Sequence, residues 1–217
     1  MKRAKRITLV LVLLQSVICY GASVGSGPEK PNFIVILCDD LGYQDLGCFG
    51  SPLIKTPRID QMAKEGMRFT SFYGQPVCGP SRAALMTGCY PLRVAKKENR
   101  VDVHFYVHTK EVMIPEILKP LGYATAAFGK WDMAGHTQTA FDPALMPNQQ
   151  GFDYFFGTPS SNDKDVNLLR NQEMIETNAD MATLTRRYTD EAIQFINAHQ
   201  KQPFFVYLAH SMPHTTL

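Results

Sequence analysis

The chain has 217 residues, enough for one domain with a sizeable core, and 45% of them are hydrophobic. A charged fraction of 19% beside 11% aromatic residues excludes a disordered, solvated chain. The formal net charge is +2, yet Lys2, Arg3, Lys5 and Arg6 all precede the first acid, Glu29. The remainder is close to neutral, which leaves no electrostatic basis for binding nucleic acid.

The four leading cations run into an apolar stretch from Ile7 to Ile18, and small residues follow at Gly21, Ala22, Ser23 and Gly25. This order of basic, apolar and small segments is that of a secretory signal peptide, placed at 1–22. The stretch is shorter than the roughly 20 residues of a bilayer span, and an uncleaved signal anchor is the alternative. No other run approaches that length, so the reading is an exported protein, periplasmic or secreted, without a stable membrane span. Cys19 would leave with the signal, and Ile18 before it does not suit a lipid-attachment site. Four cysteines remain, Cys38, Cys48, Cys78 and Cys89. Export permits disulfides, but the spacing specifies none, and the absence of a C-x-x-C pair argues against zinc.

Residues 23–31 read as a linker, and 32–217 as the folded part. Phe33–Cys38 is a continuous apolar run, the pattern of a central strand buried on both faces. Thr56 as N-cap, Pro57 at the first helical position and Gly66 as a stop predict a helix over 57–65. A second helix is expected over Ser81–Thr87, ended by Gly88, and a shorter helical turn at Pro115–Leu118. A strand follows at Tyr123–Phe128. Residues 132–178, with weak periodicity and several Pro, Asn and Gly, are expected to be loops. Leu184, Tyr188, Ala192, Phe195 and Ile196 recur at helical spacing between about Ala179 and His199, and a strand is expected at Phe204–Ala209. Strands separated by helices predict an α/β fold with a mixed, mostly parallel central sheet flanked by helices.

In such sheets ligands bind beyond the carboxyl ends of the strands. Three polar clusters follow the three clearest strands: Asp39-Asp40, Gly129-Lys130-Trp131-Asp132, and His210 to His214. Adjacent carboxylates repel, and hard oxygen donors favour calcium or magnesium; a solvated strand-end turn is the plain alternative. Cys78 stands just before a helix. A helix N-terminus suits an anion and lowers a thiol's pKa, and Arg82 offers a fork that matches a tetrahedral oxyanion. A structural cysteine beside a helix start would account for the same residues without chemistry.

The string Cys78-Gly79-Pro80-Ser81-Arg82, followed by Thr87-Gly88, resembles the sulfatase signature C-x-P-S-R, four residues, T-G, and matches every fixed position. The stretches P-N-F-I-V-I-L-C-D-D-L-G-Y, T-P-R-I-D-Q-M-A-K-E-G-M-R-F, Q-G-F-D-Y-F-F-G-T-P-S-S-N-D and P-F-F-V-Y-L-A-H-S-M-P-H are also similar to sulfatase segments, so the resemblance covers residues 31–216. It is nearest to the arylsulfatase A-like group of the alkaline-phosphatase superfamily. The resemblance implies a hydrolase of sulfate esters, acting on a sulfated small molecule or carbohydrate. It implies a formylglycine made from Cys78 by a formylglycine-generating enzyme that reads Pro80 and Arg82. It implies Ca2+ bound by Asp39, Asp40 and the modified Cys78. Arg82 would steady the modified residue, Lys130 would bind a sulfate oxygen, and His214 would contact sulfate and assist the leaving group.

The sequence departs from the family at two places. The family reads G-K-W-H where this chain has Gly129-Lys130-Trp131-Asp132, so Asp132 and His136, four residues on, are the candidates to replace the missing histidine, with an ordinary loop histidine as the plain alternative for His136. His210 is expected behind the site rather than in it. The chain also stops shortly after His214, before the later metal ligands and small C-terminal subdomain of the family. From this the C-terminal part is expected to be missing, and the 217 residues alone to be poorly active and marginally folded. A phosphatase or phosphodiesterase of the same superfamily is an alternative that Cys78 in its Pro-Ser-Arg context argues against. A non-catalytic anion-binding remnant is the other alternative, and its support is Asp132 and the early end.

Overall fold

A computed structural model describes residues 30–95, 106–135 and 137–214. The expected signal peptide at 1–22, nearly all of the 23–31 linker, and His136 lie outside the described residues.

Six strands form one sheet, in the order β1, β6, β2, β3, β4, β5. Strands β1 (Phe33–Cys38), β6 (Phe204–His210), β2 (Ala124–Lys130) and β3 (Tyr154–Thr158) run parallel to one another. The two short strands β4 (Leu168–Arg170) and β5 (Glu173–Glu176) are antiparallel. The α-helices are α1 (Pro57–Glu65), α2 (Cys78–Thr87), α3 (Pro91–Val94), α4 (Ile114–Leu118) and α5 (Met181–Ala198), and short 3-10 turns lie between the elements. The mixed, mostly parallel α/β sheet is the architecture expected from the sequence.

The alternation along β2 and β6 divides the core in two. Ala124, Ala126 and Phe128, with Phe204, Val206 and Leu208, face Leu184, Tyr188, Ala192 and Phe195 of α5. Ala127, Phe205, Tyr207 and Ala209 face the other way, onto Ala83 and Met86 of α2 and onto Trp131, Phe152 and Phe155. Burying each large side chain of these layers contributes roughly 1.5–3 kcal/mol. The small residues of β2 let both layers close on the sheet. Gly129 and Gly157 are paired across β2 and β3, where a Cβ on Gly157 would lie 2.0 Å from the Gly129 carbonyl oxygen. No side chain fits between them.

Three expectations need correction. β1 is an edge strand, not a central one: it pairs only with β6 among the described residues, and Phe33, Ile34 and Ile36 are 42%, 49% and 55% exposed. A continuous apolar run reports that both faces are apolar, not how many neighbours the strand finds. The stretch 132–178 is not all loop, since it holds β3, β4 and β5. Its strands are short and separated by Pro, Asn and Gly, which hid them. Thr56 sits at the N-cap of α1, but its hydroxyl accepts from Gly47 N at 2.8 Å and donates to Asp60 Oδ1 at 2.8 Å. It ties the 47–49 turn to α1 instead of capping an α1 amide.

Candidate active site

Since β1, β6 and β2 are adjacent and parallel, their carboxyl ends bring the three polar clusters to one edge of the sheet. Asp39 follows β1, and its amide donates to the His210 carbonyl at the end of β6 (3.2 Å). Lys130 closes β2. Its Nζ donates to Asp39 Oδ2 at 2.6 Å. Arg82, on the first turns of α2, donates to Asp39 Oδ1 at 3.0 Å, to the Lys130 carbonyl at 2.8 Å and to the Tyr207 hydroxyl at 3.3 Å. All three charges are buried: Arg82 and Lys130 are fully enclosed and Asp39 is 5% exposed. Each oxygen of one carboxylate thus holds one cation, an arrangement in which burial is offset by direct pairing.

Two acids at this edge have left-handed backbone, Asp40 at φ 59° and Asp132 at φ 54°. Aspartate tolerates that region better than most residues, and such conformations gather where a fold aims side chains at a site. The turn after β2 brings Asp132, which is buried, close enough to Cys78 for its carboxylate charge to act on the thiol. Trp131, between Lys130 and Asp132, points away into the core and donates to the Leu145 carbonyl at 2.8 Å.

Cys78 is the first residue of α2 and is half-buried. The helix start was expected to lower its pKa. The thiol is instead pushed up to about 11, first by burial and then by the negative charge of Asp132, with Lys130 only partly opposing. Burial, with the charge of Asp132, sets the direction at this helix start. Lys130 is lowered by burial and raised more strongly by Asp132 and Asp39, which keeps it protonated. Burial lowers the pKa of His210, whose Nδ1 is buried without a hydrogen bond.

His214 joins the cluster from the loop after β6. Its Nε2 lies 3.2 Å from Asp163 Oδ1 and 3.7 Å from Asp40 Oδ2. The structure therefore gathers Asp39, Arg82, Lys130 and Asp132 into one buried group, with Cys78 half-buried against it and Asp40 and His214 at its rim. Reasoning from sequence missed three participants. Asp163 ends the quoted G-T-P-S-S-N-D stretch but received no role there. Tyr207 is an inward residue of β6 that supports Arg82. Asn162 donates to the Ser211 carbonyl at 3.1 Å and fastens the Asp163 loop to the His214 loop.

The charge balance bears on metal binding. Arg82 and Lys130 face Asp39, Asp40 and Asp132, so carboxylates outnumber cations at an edge suited to an anion. The donor type, hard oxygen, fits a divalent cation such as calcium. Among the described residues, however, no three His, Cys, Asp or Glu side chains converge closely enough to hold a metal by themselves.

The comparisons with known proteins agree with this geometry. The sulfatase family model matches residues 31–217. The chain belongs to the sulfatase family. It is 35% identical over 223 residues to the N-acetylgalactosamine-6-sulfatase of Canis lupus familiaris, covering 89% of this chain and 42% of that protein. It is 40% identical over 152 residues to the steryl-sulfatase of Mus musculus, covering 66% of this chain and 24% of that one. The crystal structure of Ps i-CgsB in complex with k-i-k-neocarrahexaose superposes with a TM-score of 0.69 at 34% identity, covering 86% of this chain and 46% of the other. The chain therefore spans less than half the length of these relatives. Among its described residues, no helix is long and apolar enough to cross a membrane.

Proposed function

We propose that this sulfatase-family chain hydrolyses sulfate esters, most readily those of carbohydrates, with residue 78 as the nucleophile. The observation that carries the reading is Cys78 at the start of α2, within electrostatic reach of Asp132 and of the Lys130–Asp39–Arg82 group. The carbohydrate preference draws support from the relatives, one named for N-acetylgalactosamine 6-sulfate and one solved with a neocarrahexaose.

A formylglycine at position 78, once made, supplies a hydrated aldehyde whose hydroxyl can attack sulfur. The Asp132 carboxylate, buried beside residue 78, is suited to take a proton from a hydroxyl at that position. Lys130 and Arg82 supply fixed positive charge where sulfate oxygens gain charge, and Asp39 holds both in place before substrate arrives. His214, held between Asp40 and Asp163, is suited to give a proton to the departing alcohol oxygen. Calcium would be held by Asp39 and Asp40 with residue 78. It would supply the positive charge that offsets the excess carboxylate and draws in an anion.

Arg82 is fully buried and the Ser81 hydroxyl is bonded to the backbone of Gln75 and Val77. A formylglycine-generating enzyme that reads Pro80 and Arg82 would therefore have to act before the chain folds. Export through the 1–22 signal peptide belongs to the same proposal. The test is peptide mass spectrometry across Cys78 from the native host, where formylglycine lowers the mass by about 18 Da (SH and H replaced by a carbonyl oxygen) and marks an activated nucleophile. The shift, together with sulfate release from a sulfated sugar that Cys78→Ala abolishes, is the expected result. An unmodified thiol in a host that modifies its other sulfatases would overturn the proposal.

A further inference from the structure

A cavity of about 560 Å³ opens beside His214, on the side of Asp163. It falls in the size range of small-molecule sites, roughly 300–1,000 Å³. Its walls differ from those of most such sites, which are mainly apolar. Every lining side chain is a hydroxyl, an amide, a carboxylate or an ammonium group, and none is aromatic or aliphatic. The charged lining is Asp163, Asp165 and Lys164, so there is no surplus of positive charge.

The cavity is also held in shape. Gln138 is one of the residues that line it. The Gln138 Oε1 accepts from Thr158 Oγ1 at 3.0 Å and from Asn167 N at 2.9 Å, while its Nε2 donates to the Ser161 carbonyl. Asn167 Oδ1 in turn accepts from Asn178 N at 3.4 Å. Two amide side chains thus fasten three separate loops around one polar space. The Ser161 hydroxyl, in a residue 95% buried in this wall, has no hydrogen-bond partner.

We infer that this cavity receives the alcohol portion of the substrate and selects a sugar ring with free hydroxyl groups over an aryl or steroid body. The inference rests on the proposed sulfate-ester chemistry at Cys78 and His214. A ring with several hydroxyls can both donate to and accept from these walls, and buried polar groups discriminate strongly against a ligand that leaves them unpaired. A flat apolar body would meet only the short methyl and methylene groups of these polar side chains and would strip water from the amides and carboxylates. The lack of surplus positive charge disfavours a second anionic group on the same ring. Lys164 and Asn178, both exposed at the rim, are the specificity-determining residues.

The test is binding to the full chain, followed by ligand-observed NMR, with galactose 6-sulfate, phenyl sulfate and inorganic sulfate as probes. The variant is Lys164→Ala with Asn178→Gly, since residue 178 has φ 54° and glycine keeps that backbone without strain. Galactose 6-sulfate is expected to bind at least fivefold tighter than phenyl sulfate. The variant should erase that preference while leaving the affinities for phenyl sulfate and inorganic sulfate within twofold. Excess inorganic sulfate should displace both esters. If the preference is absent, or survives in the variant, while inorganic sulfate still competes, the pocket assignment is wrong and the sulfate-ester reading stands. If inorganic sulfate competes with neither ester, the sulfate-ester reading fails and the pocket assignment falls with it. Ser161→Ala adds a control with opposite signs, because removing an unpaired buried hydroxyl should leave thermal stability equal or higher. Loss of stability in that variant would show that Ser161 serves the fold.

Discussion

The stretch from Leu41 to Val77 and the layers around β2, β6 and α5 are both rich in apolar side chains, and they are covered to opposite degrees. Helix α1 buries none of its residues, and Leu53, Met67, Phe72 and Tyr73 are each more than 70% exposed. Every residue of β2 is buried, as are six of the seven in β6. An apolar pattern therefore marks a surface suited to being covered; whether these residues cover it is a separate matter. The candidate site lies on the border between the two regions. Asp39, Asp40 and Cys78 flank the open stretch, and Lys130, Asp132, Asp163 and His214 belong to the closed one. The Asp39 ion pairs span that border.

The sharpest way to break the closed region is at Gly129. Its φ is +98°, and a Cβ there would lie 1.9 Å from the Ala209 carbonyl oxygen, which is backbone and cannot swing aside. Gly129→Ala should cost about 4 kcal/mol or more and displace Lys130 from Asp39. Urea unfolding read by circular dichroism checks it. A loss below 1 kcal/mol would mean that β2 and β6 separate more readily than their register implies.

Next in size is the border itself. Asp39→Ala leaves Arg82 and Lys130 buried without their shared counter-charge, an expected loss of about 3–5 kcal/mol. Asp40→Ala, one residue on, removes a side chain that is 56% exposed and should change stability by less than about 1 kcal/mol. Equal effects at the two positions would show that the pair acts as one unit and that burial does not separate their roles.

That contrast was only half legible in the sequence. Asp39, Cys78, Arg82 and Lys130 could be singled out because each stands at the end of a strand or the start of a helix. The different environments of Asp39 and Asp40 could not, because they depend on which side chains approach from α2 and β2. The same holds for the thiol of Cys78: local position predicted a lowered pKa, and Asp132 together with burial reversed it. Phe33–Cys38, Pro57–Glu65 and, to within one residue, the strand expected at Phe204–Ala209 were readable from apolar runs and from Pro and Gly punctuation. β3 was not, although Tyr154-Phe155-Phe156 is an apolar run, because Gly157 looks like a breaker until its close approach to Gly129 is known. Asp163 and Tyr207 enter the site through contacts between loops and strands far apart in sequence, for which no local pattern exists.

A smaller effect is expected at the far side of the closed region. Burial pushes the Glu191 carboxyl up, but hydrogen bonds from Arg170 and from the Tyr154 hydroxyl outweigh this and hold it below its ordinary pKa. A depressed carboxylate stabilises the fold fully above its unfolded pKa of about 4.3. That contribution is lost as pH falls through the lower folded value. Glu191→Gln should therefore lower stability by about 1 kcal/mol at pH 7, a figure kept modest because Arg170 is 43% exposed. The gap between variant and wild type should close under acid conditions. A gap that stays constant down to pH 3 would assign the effect to packing and not to charge.

The smallest expected effect tests the open region directly. Ile59→Ser and Met62→Ser alter apolar side chains of α1 that are 39% and 61% exposed, so each should change stability by no more than about 0.5 kcal/mol. Leu184→Ala on α5, at a fully buried position, should cost about 2–5 kcal/mol. The α1 variants should also lower binding of a hydrophobic dye, since exposed apolar patches of this kind bind other surfaces. If Ile59→Ser instead destabilised the protein as much as Leu184→Ala, α1 would have to be covered in solution. The opposition between an open and a closed region would then give way to a single core, with Asp39 near its centre and not at its border.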